Sequence, residues 1–171
     1  MINTNDEKVK LRVVDIVDGT TVDGPGVRTS IYFAGCEHHC PGCQNPMTWD
    51  HTAGRDMTVA EILRTIDEND FDVTFSGGDP LYQVEPLVSL AKEIRRRGKT
   101  IWCFTGFVFE EILANSRLSK ILPYVEVMVD GPFIESQRDI ELLFRGSTNQ
   151  RLINVADTVA SGHTVLWTSD F

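Results

Sequence analysis

Cys36-Glu37-His38-His39-Cys40-Pro41-Gly42-Cys43 sets three cysteines in a C-x3-C-x2-C spacing. A thiolate is a soft ligand, so three on one short loop suit three irons of an iron–sulfur cluster or three corners of a zinc site. Three ligands leave one corner open, which a catalytic metal requires and a structural metal avoids. A structural zinc would complete its shell from His38, His39, His51 or Cys103. Such sites usually come as two paired knuckles, and no second C-x2-C or H-x3-H follows downstream. The spacing therefore favours a redox cluster over zinc.

Other stretches carry weaker chemistry. In Ser76-Gly77-Gly78-Asp79-Pro80, bare glycine backbone lets an anion or carboxylate approach, and Asp79 can accept hydrogen bonds from an ammonium group. The plain alternative is a strand-to-helix turn. Asp130, before Gly131-Pro132, suits a cation, a ribose hydroxyl or an ordinary turn. Asp23-Gly24-Pro25-Gly26-Val27-Arg28 reads as a turn with Arg28 as a surface charge. Cys103, inside the apolar run Ile101-Trp102-Cys103-Phe104, reads as a small buried hydrophobe. His38 and His39 read as solvated loop residues.

The elements that position these residues alternate. Strands are expected over 11–17, 27–34, 71–75, 100–104 and 124–129, with a last one near 165–167. Thr58-Val59-Ala60-Glu61 is a capping box that opens a helix to about Glu68. Leu87, Leu90, Ala91 and Ile94 mark a helix over 84–97, ended by Gly98. A third helix is expected over 109–115. Alternation of this kind means parallel strands with right-handed crossovers. The cysteine loop, Ser76–Pro80, Thr105-Gly106 and Asp130–Pro132 each follow a strand, so parallel strands bring all four to one face. A closed eight-unit barrel usually takes about 250 residues. With 171 residues, the chain is expected to form one α/β domain (core about 11–168), a partial, open β/α barrel with helices outside.

Composition sets limits on function. The chain is 42% hydrophobic and 24% charged, as in ordinary globular proteins. A net charge of −9 argues against nucleic acid and anionic membrane as partners. No apolar run approaches a membrane span, and the N-terminal residues show no signal-peptide pattern. A cytoplasmic, reducing location is expected, where clustered cysteines favour metal chemistry over disulfides.

Taken together, the cysteine loop and Ser76–Pro80 resemble the radical S-adenosylmethionine superfamily. Gly24-Pro25-Gly26-Val27-Arg28 running into Phe33-Ala34-Gly35-Cys36 is similar to the glycyl-radical-enzyme activases within it. Cys40-Pro41-Gly42-Cys43, Asn45, Trp49, Asp130-Gly131-Pro132-Phe133 and Arg145–Arg151 resemble the branch that activates the anaerobic (class III) ribonucleoside-triphosphate reductase. The likeness runs from about Val14 to Leu152.

The resemblance implies that Cys36, Cys40 and Cys43 ligate a 4Fe–4S cluster whose fourth iron binds S-adenosylmethionine. Reductive cleavage would give a 5′-deoxyadenosyl radical that takes a hydrogen from a glycine of the reductase. It further implies cofactor contacts at Gly42, Ser76, Gly77, Gly78, Asp79, Thr105 and Asp130, and partner contacts at Asp23 and Arg28. The implied partners are the reductase large subunit and a low-potential electron donor of the flavodoxin or ferredoxin type. An open barrel side would admit the glycine-bearing loop. Two positions depart from the wider superfamily: Gly42 replaces an aromatic residue, and Asp79 replaces a glutamate. The alternatives are an activase of the pyruvate formate-lyase type, a small radical enzyme making a deazapurine, and a zinc-stabilised binding module.

Overall fold

In a computed structural model, residues 2–169 are described. They form a seven-stranded mixed sheet in the order β3-β1-β2-β4-β5-β6-β7. The strands are β1 (Lys10–Thr20), β2 (Arg28–Phe33), β3 (Arg55–Thr58), β4 (Asp72–Gly77), β5 (Ile101–Phe104), β6 (Val127–Asp130) and β7 (Arg151–Asn154). The helices are α1 (Val59–Glu68), α2 (Val84–Arg96), α3 (Phe109–Ala114) and α4 (Val155–Ser161). Short 3-10 turns include Pro46–Thr48, Pro80–Gln83 and Leu118–Tyr124.

The four central strands, β2, β4, β5 and β6, run parallel. The outer pairings are antiparallel, which corrects the expectation of an all-parallel sheet. The cause is connection length. Residues 21–27 join β1 to β2, too short a link for a parallel crossover, which needs roughly a dozen residues or more. β3, α4 and β7 add to the elements that the sequence pattern predicts. The strand expected at 165–167 is reduced to one bridge between Ile153 and Leu166. The sheet is open, with β3 and β7 at its edges.

Strand alternation gives the sheet two different faces. Ile31, Phe33, Val73, Phe75, Ile101, Cys103 and Met128 point to the helix side, packed against Ile62, Leu63, Leu87, Leu90, Phe109 and Ile112. Each such side chain contributes roughly 1.5–3 kcal/mol on burial. The predicted capping box holds α1: Glu61 N–H donates to Thr58 Oγ1 at 3.1 Å, and Thr58 N–H donates to Glu61 Oε2 at 2.7 Å. The opposite, inner face carries Trp102, Val127 and Val129, covered by Phe144 and Trp167 from the C-terminal part.

The Gly-Pro-Gly loop is drawn onto this inner face, and Arg28 is the reason. Arg28 is 1% exposed, not a surface charge. Its Nε donates to Thr74 Oγ1 at 2.8 Å, Nη2 to the Val73 carbonyl at 2.8 Å and Nη1 to the Pro25 carbonyl at 3.3 Å. The guanidinium carbon lies 5.7 Å from the Trp102 ring centroid. Burial pulls its pKa below the usual value, and the Asp72, Glu126 and Asp23 carboxylates act against that shift. A Cβ at Gly24 would stand 2.8 Å from the Arg28 Cδ, so this close approach requires glycine. The burial removes Arg28 from the set of residues able to touch a partner.

Arg28→Ala would leave these acceptors unpaired and open a cavity. We expect a loss of about 2–4 kcal/mol, read as a lower urea midpoint. Arg28→Lys should recover little, because an ammonium lacks the planar fork that spans Pro25, Val73 and Thr74. A parental midpoint for Arg28→Ala would contradict this role.

Candidate cluster and cofactor site

The cysteine loop begins where β2 ends. Gly35, at φ +98°, turns the chain, and its N–H donates to the Thr48 carbonyl at 2.8 Å. Cys36 N–H donates to the Trp49 carbonyl at 3.1 Å, so the returning segment pairs with the loop's start. Within the loop, Cys43 N–H donates to the Cys40 carbonyl at 3.1 Å, with Gly42 at φ +74°. Proline second and positive-φ glycine third is the pattern of a type II turn, which fixes the spacing of Cys40 and Cys43. His39 (φ 50°) lies flat on Trp49, with centroids 4.9 Å apart.

All four strand-end loops meet at one cavity of about 170 Å³. Cys36, Cys40 and Cys43 line it together with Ser76, Gly77, Gly78, Phe104, Thr105, Gly131 and Phe133. The Ser76–Asp79 segment is sewn to the cysteine loop by backbone bonds: Gly78 N–H to the Phe33 carbonyl and Asp79 N–H to the Gly35 carbonyl, both at 2.8 Å. A Cβ at Gly77 would stand 2.3 Å from the Phe33 nitrogen, and one at Gly78 would stand 2.5 Å from the Gly35 oxygen. The approach of two backbones, not of a ligand, thus forces the glycine pair.

Asp79 joins three of the loops. It is fully buried. Its Oδ2 accepts from His38 Nε2 at 2.7 Å, Thr105 Oγ1 at 2.8 Å and Gly106 N–H at 2.9 Å. Its Oδ1 accepts from Leu81 N–H at 3.0 Å. An ionised carboxylate only accepts, so His38 carries its proton on Nε2. These bonds occupy Asp79, which does not line the cavity. Through these bonds Asp79 holds the loops together. His38 is likewise no solvated loop residue: it packs edge-on to Phe107, with centroids 4.7 Å apart, and beside Tyr82. The pairing spans 41 positions and has no local sequence signal.

The other expected contacts divide. Ser76, Gly77, Gly78 and Thr105 line the cavity, and Gly42 does not; a Cβ at Gly42 would meet the Glu135 carboxylate at 2.8 Å. Asp130 is 1% exposed and does not line the cavity. It accepts from Arg151 Nε at 3.1 Å and Nη2 at 2.5 Å, and from Phe109 N–H at 2.8 Å. It therefore anchors β7 and the start of α3. Asp23 Oδ2 accepts from Ser30 Oγ at 2.8 Å and Tyr32 O–H at 3.1 Å. Burial and Asp23 push the Tyr32 hydroxyl up to about 12.

Three cysteines and a cavity walled by glycine suit a cluster with a small-molecule ligand. The three thiols are free, and Asn45 N–H reaches Cys43 Sγ at 3.4 Å. Among the described residues, no three His, Cys, Asp or Glu side chains are arranged to hold one metal ion. Burial raises the pKa of the Cys36 thiol to about 11. Cys103 is fully buried on the helix side of the sheet, and burial raises its pKa well above the usual thiol value.

Asp79→Asn leaves one acceptor oxygen where two are used. We expect a loss of about 2–4 kcal/mol in denaturant unfolding, together with weaker iron retention after anaerobic reconstitution. Asp79→Glu crowds a closed site and should cost about 1–3 kcal/mol. Parental stability and iron content in both would contradict the holding role.

Known proteins agree with this geometry. Residues 22–153 match the family model described as a 4Fe-4S single cluster domain. The anaerobic ribonucleoside-triphosphate reductase-activating protein of Escherichia coli K12 is 35% identical over 139 residues, covering 75% of this chain and 89% of that protein. Its counterpart from Enterobacteria phage T4 is 37% identical over 147 residues, covering 81% and 90%. The fold is similar to the crystal structure of QueE from Escherichia coli, with a TM-score of 0.50 and 15% identity, covering 60% of this chain and 55% of that one. On these matches, together with three free cysteines at one glycine-walled cavity, the chain belongs to the family of anaerobic ribonucleoside-triphosphate reductase-activating proteins.

Proposed function

We propose that this protein installs the glycyl radical of an anaerobic ribonucleoside-triphosphate reductase. The observation that carries the reading is the meeting of Cys36, Cys40 and Cys43 with Ser76-Gly77-Gly78 at one cavity. A 4Fe–4S cluster with S-adenosylmethionine supplies, when bound, the reductive cleavage whose 5′-deoxyadenosyl product takes the glycine hydrogen. Cys36, Cys40 and Cys43 hold the irons through thiolate sulfur. The backbone of Gly77 and Gly78 and the Ser76 hydroxyl offer polar groups to the amino-acid end of the cofactor. Phe104, Phe133 and Trp49 give the cavity apolar walls, which take a flat base and limit water.

The full chain acts as one domain in this reading, and the open sheet is a section of a β/α barrel. Its inner face is closed below by the loop held on Arg28 and opens above at the cavity. A low-potential donor of the flavodoxin or ferredoxin type supplies the electron. The reaction belongs to the reducing cytoplasm, where cysteine thiols stay free. Among the described residues, no helix is long and apolar enough to cross a membrane.

The test is anaerobic reconstitution with reductant, S-adenosylmethionine and the purified reductase. Electron paramagnetic resonance should show a glycyl radical on the reductase, with 5′-deoxyadenosine formed alongside. Cys36→Ala, Cys40→Ala and Cys43→Ala should each abolish it. Cys103→Ala should retain it, since that thiol faces the helices. Cofactor cleavage without any radical on the reductase would refute the assignment of partner.

A further inference from the structure

The segment after β6 leaves the cavity wall, makes a hairpin and returns. Phe133, Gly146 and Gln150 line the cavity on the way out and back. A bridge between Arg138 and Ser147 closes the hairpin. Thr148 N–H donates to the Gln137 carbonyl at 2.9 Å, and Asp139 N–H to the Gly146 carbonyl at 3.2 Å. Ser147 is fully buried, and its Oγ accepts from Ile134 N–H at 3.2 Å. The base of the hairpin is therefore fixed.

Its tip is apolar and exposed. Ile140 is 87% exposed, and Leu143 is 51% exposed. The next residue, Phe144, turns inward and meets the Trp102 ring edge-on, with centroids 5.4 Å apart. To do so it takes φ 56°, a left-handed conformation that a bulky side chain rarely adopts. Such backbone persists only when its surroundings enforce it. Anchoring Phe144 in the inner face thus holds the hairpin in place with Leu143 and Ile140 turned to solvent. Large aliphatic side chains on a fixed projection are poor solvent-facing residues, and they are good contacts for another protein.

We propose that the 138–147 hairpin, through Ile140 and Leu143, is a docking element for the reductase polypeptide that presents its glycine to the cavity. The assignment rests on the function proposed above. That function supplies the occupant: a glycine within a protein reaches the cavity only if its polypeptide covers the rim, and the hairpin is built from the rim itself. A stable interface buries about 800 Å² on each partner, and a few central apolar side chains carry much of its energy. The tip supplies such anchors, and the remainder comes from the surface around the mouth. Ile140 and Leu143 do not line the cavity, so their replacement leaves cluster and cofactor contacts in place.

The test compares the reconstituted parent with Ile140→Asp/Leu143→Asp. Leu113→Asp/Val159→Asp, which changes two exposed apolar residues on helices α3 and α4, is the control. Calorimetry with purified reductase should show binding weakened at least tenfold in the hairpin variant and unchanged in the control. Glycyl radical yield at limiting reductase should fall in parallel. Iron content and reductase-independent cofactor cleavage should match the parent. Binding unchanged in the hairpin variant would overturn the docking assignment alone. Failure of the parent to bind the reductase would overturn the proposed function and the docking assignment with it. Self-association of the parent that the hairpin variant loses, with reductase binding retained, would assign the tip to a second copy and overturn the proposal.

Discussion

The Asp79 carboxylate sits where three strand-end loops meet, and it is bonded to each. His38 brings the cysteine loop, Thr105 and Gly106 bring the loop after β5, and Leu81 lies in the 3-10 turn that leads into α2. Hydrogen bonds to a buried charged group are strong, and leaving that group unpaired is costly. The four bonds therefore act as a unit: removing one donor strands part of a carboxylate that has no solvent to replace it. A cluster bound by three thiolates and open at one iron needs its loop held from outside the metal. Asp79 and His38 do this without using a thiol.

The parallel core makes that junction possible. Parallel β2, β4 and β5 deliver their C-terminal ends side by side, with Phe33 opposite Gly77 in register. The glycine pair then allows the Ser76–Asp79 backbone to lie against Phe33 and Gly35. At the other end of the inner face, Arg28 holds the Gly24–Gly26 loop over Trp102. The same sheet thus closes one end with a buried cation and opens the other with a buried anion at its rim. Each of the two charges is satisfied locally.

Much of this was legible in the sequence, for physical reasons. The capping box and the 3.6-residue period of α1 and α2 are local signals, and both helices lie where those signals put them. The cysteine spacing and the loops at strand ends follow from chemistry and from alternation. What was not legible depends on distant partners. Gly-Pro-Gly-Val-Arg looks like an exposed turn until Thr74 and the Val73 carbonyl, 45 or more positions away, pull Arg28 inside. Nor does the sequence show that Asp79 pairs with His38, or Asp130 with Arg151, since these partners lie 41 and 21 positions away. The antiparallel β7 has only four residues, two of them polar, and gives no strong strand signal. Arg151 is nonetheless placed by Asp130 and Glu110, and Asn154 caps α4.

In the reading proposed above, Asp79 keeps the loops together and the cofactor is left to the backbone and Ser76. A crystal structure of the reconstituted protein with S-adenosylmethionine bound tests it most directly. Asp79 should keep its bonds to His38, Thr105 and Gly106, with the methionine amino group met by the Ser76–Gly78 segment. An Asp79 carboxylate released from His38 and turned onto that amino group would contradict it.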